Sequence, residues 1–124
     1  EVPSFSETKS TDLDSLWMHA LSALKSQDYS SAKPLLQGLV QDSSFAQRSE
    51  AYLYLGHLEM ENKNYEAAID AYKKVDIQVQ TAEWYQMLAH LALNQVEEAK
   101  ELLVRLSQYK FYQEKARNIQ KSCN

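Results

Sequence analysis

The chain has 124 residues, 44% of them apolar and 24% charged, with a formal net charge of −4. That length suits one domain with one core, and the acidic balance argues against a nucleic-acid footprint. Only 2 glycines and 2 prolines exclude a turn-rich β-sandwich or a glycine-built phosphate cradle, and the single cysteine, Cys123, excludes an internal disulfide and a cysteine-based zinc cage.

Residues 1–10 are polar, Ser/Thr-rich and aperiodic, which predicts a flexible N-terminal arm. Residues 11–124 then read as a single helical domain. A first helix is expected over about 12–26, with Leu13, Leu16, Trp17, Ala20 and Leu24 on one stripe. A second follows over about 29–41 behind Asp28 as N-cap. Pro34 lies past its first turn, where the missing N–H costs a hydrogen bond or bends the helix. The third is expected over about 46–61, with Ser44 and Gln47 in the form of a capping box. The fourth covers about 65–75 behind Asn64. Ile77-Gln78-Val79-Gln80 alternates too briefly for a strand and reads as a connector. Helices over about 81–93, 96–107 and 110–121 complete the set. Short connections between them make neighbours antiparallel. No apolar run approaches the roughly 18 residues of a membrane helix. The opening Glu1-Val2-Pro3 reads as the start of an excised or processed piece. Cys123 reads as an incidental thiol, with no neighbouring His or second Cys to activate it.

Self-comparison exposes a repeat. Gln27-Asp28-Tyr29-Ser30-Ser31-Ala32 aligns with Lys63-Asn64-Tyr65-Glu66-Ala67-Ala68, 36 residues on, and Ala20, Leu36 and Leu39 find Gly56, Tyr72 and Val75 at the same offset. A third copy places Ala89 at the Gly56 position, 33 residues on, and Val96-Glu97-Glu98-Ala99 against Tyr65-Glu66-Ala67-Ala68, 31 residues on. That mismatch predicts a shortened inner turn near Asn94-Gln95. Ala20, Gly56 and Ala89 are small where helices must approach closely. Tyr29 and Tyr65 are placed to wedge between hairpins. One hairpin cannot bury its apolar face alone, so stacked copies share a core.

These positions resemble the tetratricopeptide repeat. The second copy carries Tyr52, Leu55, Gly56, Tyr65, Ala68 and Tyr72 at the family's motif positions, but Glu59 replaces an aromatic and Gln80 the closing proline. The first carries Leu16, Ala20, Tyr29, Ala32 and Leu36, with His19 in place of a leucine. The third carries Tyr85, Leu88, Ala89 and Ala99. The resemblance implies an all-α, right-handed superhelical solenoid of about seven helices. Repeats then cover about 13–45, 46–80 and 81–107, and 108–121 forms a capping helix. The run Ala82-Glu83-Trp84-Tyr85 through Leu102-Leu103, then Phe111 to Ala116, also resembles membrane-tethered bacterial repeat proteins. That likeness implies an extracytoplasmic domain of a membrane-anchored protein, with the cytoplasm as the alternative and any tether outside this fragment.

The resemblance further implies a protein or peptide partner on the concave face, with no enzymatic activity and no cofactor. The family's groove positions fall on Trp17, Leu21 and Lys25, on Leu53, His57 and Glu61, and on Gln86, His90 and Asn94. Packing under the arm or against the first hairpin is the competing role for Trp17. A clamp for an acidic tail, as in co-chaperones of the family, has only Lys25 and Asn94 to draw on. Glu61 would repel such a tail, so a polar, aromatic or mildly basic partner fits better. His57 and His90 on adjacent repeats lie about 10 Å apart, too far to share one zinc ion with bonds of about 2 Å. His19 is expected to face the core. Glu59, Glu61, Asp70, Glu97, Glu98 and Glu101 read as solvated faces, and no nucleophile elbow or triad spacing occurs. The alternative function is homo-oligomerisation through the ends, with Trp17 at one and Phe111 and Tyr112 at the other. Charge follows the same direction, from an acidic first fifteen residues to Lys110, Lys115, Arg117 and Lys121.

Overall fold

The computed structural model describes residues 5–123, with side chains described from residue 12. Among them are seven helices and no strand: α1 (Phe5–Lys25), α2 (Tyr29–Val40), α3 (Arg48–Glu61), α4 (Tyr65–Lys73), α5 (Val79–Ala92), α6 (Val96–Leu106) and α7 (Gln113–Cys123). Each helix packs on the next in the chain, from α1 on α2 to α6 on α7. Hairpins α1–α2, α3–α4 and α5–α6 therefore stack as a helical solenoid, and α7 packs against α6 behind them.

The inner turns share one geometry. Gln27, Lys63 and Asn94 each have φ near 60°. Each donates its N–H to the carbonyl three residues back, and the following residue donates to the carbonyl five back. Asp28 thus reaches Ala23, Asn64 reaches Glu59 and Gln95 reaches His90, all at 2.8 Å. This is the Schellman closure, which usually places glycine at the left-handed position. Here Gln, Lys and Asn take it, at a cost of about 1 kcal/mol each. Lys63→Gly is therefore expected to raise stability by about 1 kcal/mol, read as a higher urea midpoint with an unchanged slope.

These turns fix the register and correct the third copy. Gln27 to Lys63 is 36 residues and Lys63 to Asn94 is 31. Helix starts repeat the same offsets, from Tyr29 to Tyr65 to Val96, and from Arg48 to Val79. The inner turn has lost nothing. The shortening comes from α4, which has 9 residues against 12 in α2, and from the connection after it. Met87, not Ala89, consequently occupies the Gly56 position. In the first two hairpins a small residue stands against a large one, Ala20 with Leu36 and Gly56 with Tyr72, whereas the third pairs Met87 with Leu103. The larger member of each pair is at most 1% exposed.

Several element boundaries also move. The helical backbone begins at Phe5, not near residue 12, because each added residue gains a bond once a helix is nucleated. Residues 1–4 of the expected arm lie outside the described residues. Asp28 caps α2, accepting from the Ser31 N–H at 3.4 Å. The Ser44–Gln47 capping box does not form. Ser44 instead donates its hydroxyl and N–H to the Asp42 carboxylate, at 2.6 and 2.9 Å, and α3 starts at Arg48. α7 starts at Gln113 rather than Lys110.

His19 is exposed, not core-facing, and Leu16 on its stripe is 39% exposed. The equivalent α3 residues, Leu55 and Tyr52, are buried. Those two have α2 behind them, and no described helix precedes α1. The core forms two clusters that meet on α5. One runs from Ala20 to Ala82 and gathers Tyr85; the other runs from Met87 to Ala116 and gathers Trp84.

Candidate functional site

Aromatic pairs bridge the first helices of the hairpins, α1, α3 and α5. Trp17 lies 6.1 Å from Tyr54 between ring centres and meets Phe45 edge-on at 5.5 Å. His57 meets Tyr85 edge-on at 4.7 Å. Trp84 stacks on Tyr112, just before α7, at 5.2 Å. Aromatic contacts thus link the first hairpin to the second, the second to the third, and the third to the segment leading into the cap. Such pairs add about 1 kcal/mol each beyond area burial.

His57 sits at the middle of this row. Its Nδ1 lies 2.7 Å from the Tyr72 hydroxyl. Burial pushes the Tyr72 phenol far above its ordinary range, so the hydroxyl keeps its proton. Tyr72 is 1% exposed and its O–H needs an acceptor. It therefore donates to Nδ1, and the remaining imidazole proton is on Nε2. Burial also lowers the His57 pKa below its ordinary 6.5. The unfolded chain then takes up a proton that the folded one refuses. Stability from this site is complete above pH 6.5 and declines as pH falls below it. A thermal midpoint that drops between pH 6.5 and 5 is expected, with the drop largely removed in His57→Gln. Asp28, held low by Ser31 and Ser30, acts in the same direction only below its ordinary 3.8, so the windows separate.

The expected groove residues do not all reach one surface. Trp17, Leu21, His57 and Gln86 are half-buried, while Lys25, Glu61 and Asn94 are exposed. Leu53 and His90 are buried, at 8% and 7% exposure, and His90 reaches only the lining of a separate concavity beside Gln86, Glu98 and Glu101. His90 Nδ1 lies 2.7 Å from the Gln95 side-chain oxygen, a turn-bracing contact equivalent to that of Asn64 with Glu59. Asn94 occupies the left-handed turn position. With the 31-residue register, the equivalents of Leu53, His57 and Glu61 are Trp84, Leu88 and Ala92. Tyr54 and the partly buried Tyr85, 31 residues apart, are aromatics that sequence reasoning did not place along the groove, Tyr85 reading there only as a motif residue. That exact recurrence was their signal, and it was hidden by the wrong offset.

A concavity of about 230 Å³ opens between α1, the start of α2 and α3, lined by Leu24, Tyr29, Tyr54, His57, Leu58 and Glu61. Tyr29 does not wedge deeply: it is 37% exposed and separates this space from a second one beside Lys33 and Pro34. The two buried carboxylates are both engaged elsewhere. Glu59 pairs with Lys33 at 3.2 Å, and Glu83 pairs with Arg105 at 2.7 Å and accepts from the Tyr109 hydroxyl at 3.1 Å. Among the described residues no group of three His, Cys, Asp or Glu side chains is placed to hold a metal ion, and no helix is long and apolar enough to cross a membrane.

Stacked helical hairpins with a common turn and a core continued from one pair to the next define a helical-repeat solenoid. The family model for the tetratricopeptide repeat matches residues 18–83, just over half of the sequence, and the chain belongs to that family. No curated protein and no solved structure matches it. Repeats of this family generally mediate protein–protein interaction.

Proposed function

We propose that the chain is a non-catalytic interaction module that docks a peptide or partner protein on the inner face of α1, α3 and α5. The supporting observation is the row of partly exposed aromatic side chains, Trp17, Tyr54, His57 and Tyr85, held in place by one another. Rigid aromatic groups supply contact area at low entropic cost, which is why they dominate binding surfaces. Affinity capture from the source cells tests this, comparing the native chain with Tyr54→Ala and with Val104→Ala on α6. A partner retained by Val104→Ala and lost by Tyr54→Ala supports the reading. Equal capture by all three overturns it. Self-association through the ends is a second reading, favoured by the exposed Leu16 and Met18 on α1 and by Phe111, 72% exposed, before α7. A molecular mass by light scattering that stays monomeric across concentration rules it out.

A further inference from the structure

We infer that the concavity between α1 and α3 is a pocket for one basic side chain, lysine or arginine, of an extended partner peptide. The inference rests on the inner-face reading above and names the chemistry recognised there. The space of about 230 Å³ is lined by the aliphatic Leu24 and Leu58, by Tyr29 and Tyr54, by His57 and by the carboxylate-bearing Glu61. Apolar side chains accept the methylene stem of a basic side chain. Aromatic faces attract its cationic head, and a carboxylate completes the pairing.

Four observations support this occupant. Glu61 is exposed and has no ion pair among the described residues, where the buried Glu59 and Glu83 are both paired. Its charge is therefore available. The imidazole in the lining is held neutral by burial and by the Tyr72 hydroxyl, so it does not repel a cation. The Tyr54 ring is fixed by Trp17, and the His57 ring is fixed between Tyr72 and Tyr85. The pocket thus exists before any ligand arrives. Finally, the next gap along the solenoid supplies an internal comparison. Its equivalent positions are Met60, Tyr65, Tyr85, Leu88, Ala89 and Ala92. Both tyrosines recur, but alanine replaces the carboxylate and leucine the imidazole. Of these two gaps, only the first carries a carboxylate. Lys25 at the end of α1 is outside the lining.

A peptide-display library panned on the whole chain tests this, followed by titration of the strongest synthesised peptide against variants with native circular dichroism. The expected peptides share a lysine or arginine. Their affinity falls about tenfold in Glu61→Gln and in Tyr54→Ala, falls with added salt, and is unchanged in Glu101→Gln on α6. Glu61 is exposed, so its substitution leaves the fold intact. Peptides that bind the inner face, lose affinity in Tyr54→Ala, yet carry no basic residue or ignore Glu61→Gln overturn the pocket and leave the inner-face reading standing. Recovery of no peptide, or only of peptides insensitive to both variants, overturns both.

Discussion

Gly56→Leu is expected to destabilise the fold by about 3 kcal/mol or more, at the upper end of what overpacking costs. A Cβ added at Gly56 would meet the Tyr72 ring, with Cδ1 and Cζ both at 2.7 Å and Cε1 closer still. Tyr72 cannot yield. Its ring is 1% exposed, stacks on Tyr85 at 6.0 Å and holds His57 through its hydroxyl. Relief must therefore come from separating α3 and α4, which also disturbs the inner face. Chemical denaturation measures the loss. Gly38 supplies the contrast: nothing lies within 4 Å of its added Cβ, so Gly38→Ala in α2 should stabilise by about 1 kcal/mol. A similar response at both positions would contradict the hairpin packing described here.

Tyr112→Ala is expected to cost about 3 kcal/mol, the usual scale for truncating a buried aromatic, and to release α7 before the rest unfolds. Tyr112 is 8% exposed, stacks on Trp84 and meets Phe111 edge-on at 4.9 Å. α7 itself buries only Ala116 fully, with Ile119 and Cys123 partly buried. Tyr112 is thus the main anchor of the cap. Lys115 lies over both Trp84 and Phe111, at 6.0 and 5.4 Å, so the basic end also serves the aromatic cluster. Loss of α7 would uncover Met87, Leu103 and Leu106. Hydrogen exchange should show α7 amides deprotected in Tyr112→Ala while α2 and α3 amides remain slow.

The repeat was legible in the sequence because close helix approach demands small residues, and Ala20, Gly56, Ala32 and Ala68 satisfy that at one spacing. Helix number and hairpin order followed from it. The third copy misled because Met87 and Leu103 solve the same contact with two flexible side chains, leaving no small residue to mark the position. The turns were hidden in another way. Their left-handed residues are Gln27, Lys63 and Asn94, and no glycine marks them. Trp17, His57 and Glu61 were placed on the inner face by register alone, and all three keep some exposure. Leu53 and His90, expected along the groove, are buried, because family position says which helix side a residue occupies, not whether a neighbour covers it. Glu59 also illustrates this: a carboxylate stands at an aromatic position because Lys33 reaches it from α2.

The most direct test of a working inner face is amide hydrogen exchange of the whole chain with and without its strongest display-selected peptide. Added protection should appear over the second half of α1 and over α3, centred on Tyr54, His57 and Glu61, with α4 and α6 unchanged. Protection confined to α2, α4 and α6, or to α7, would place the binding surface on the opposite side or at the cap and contradict the inner face as the site of recognition.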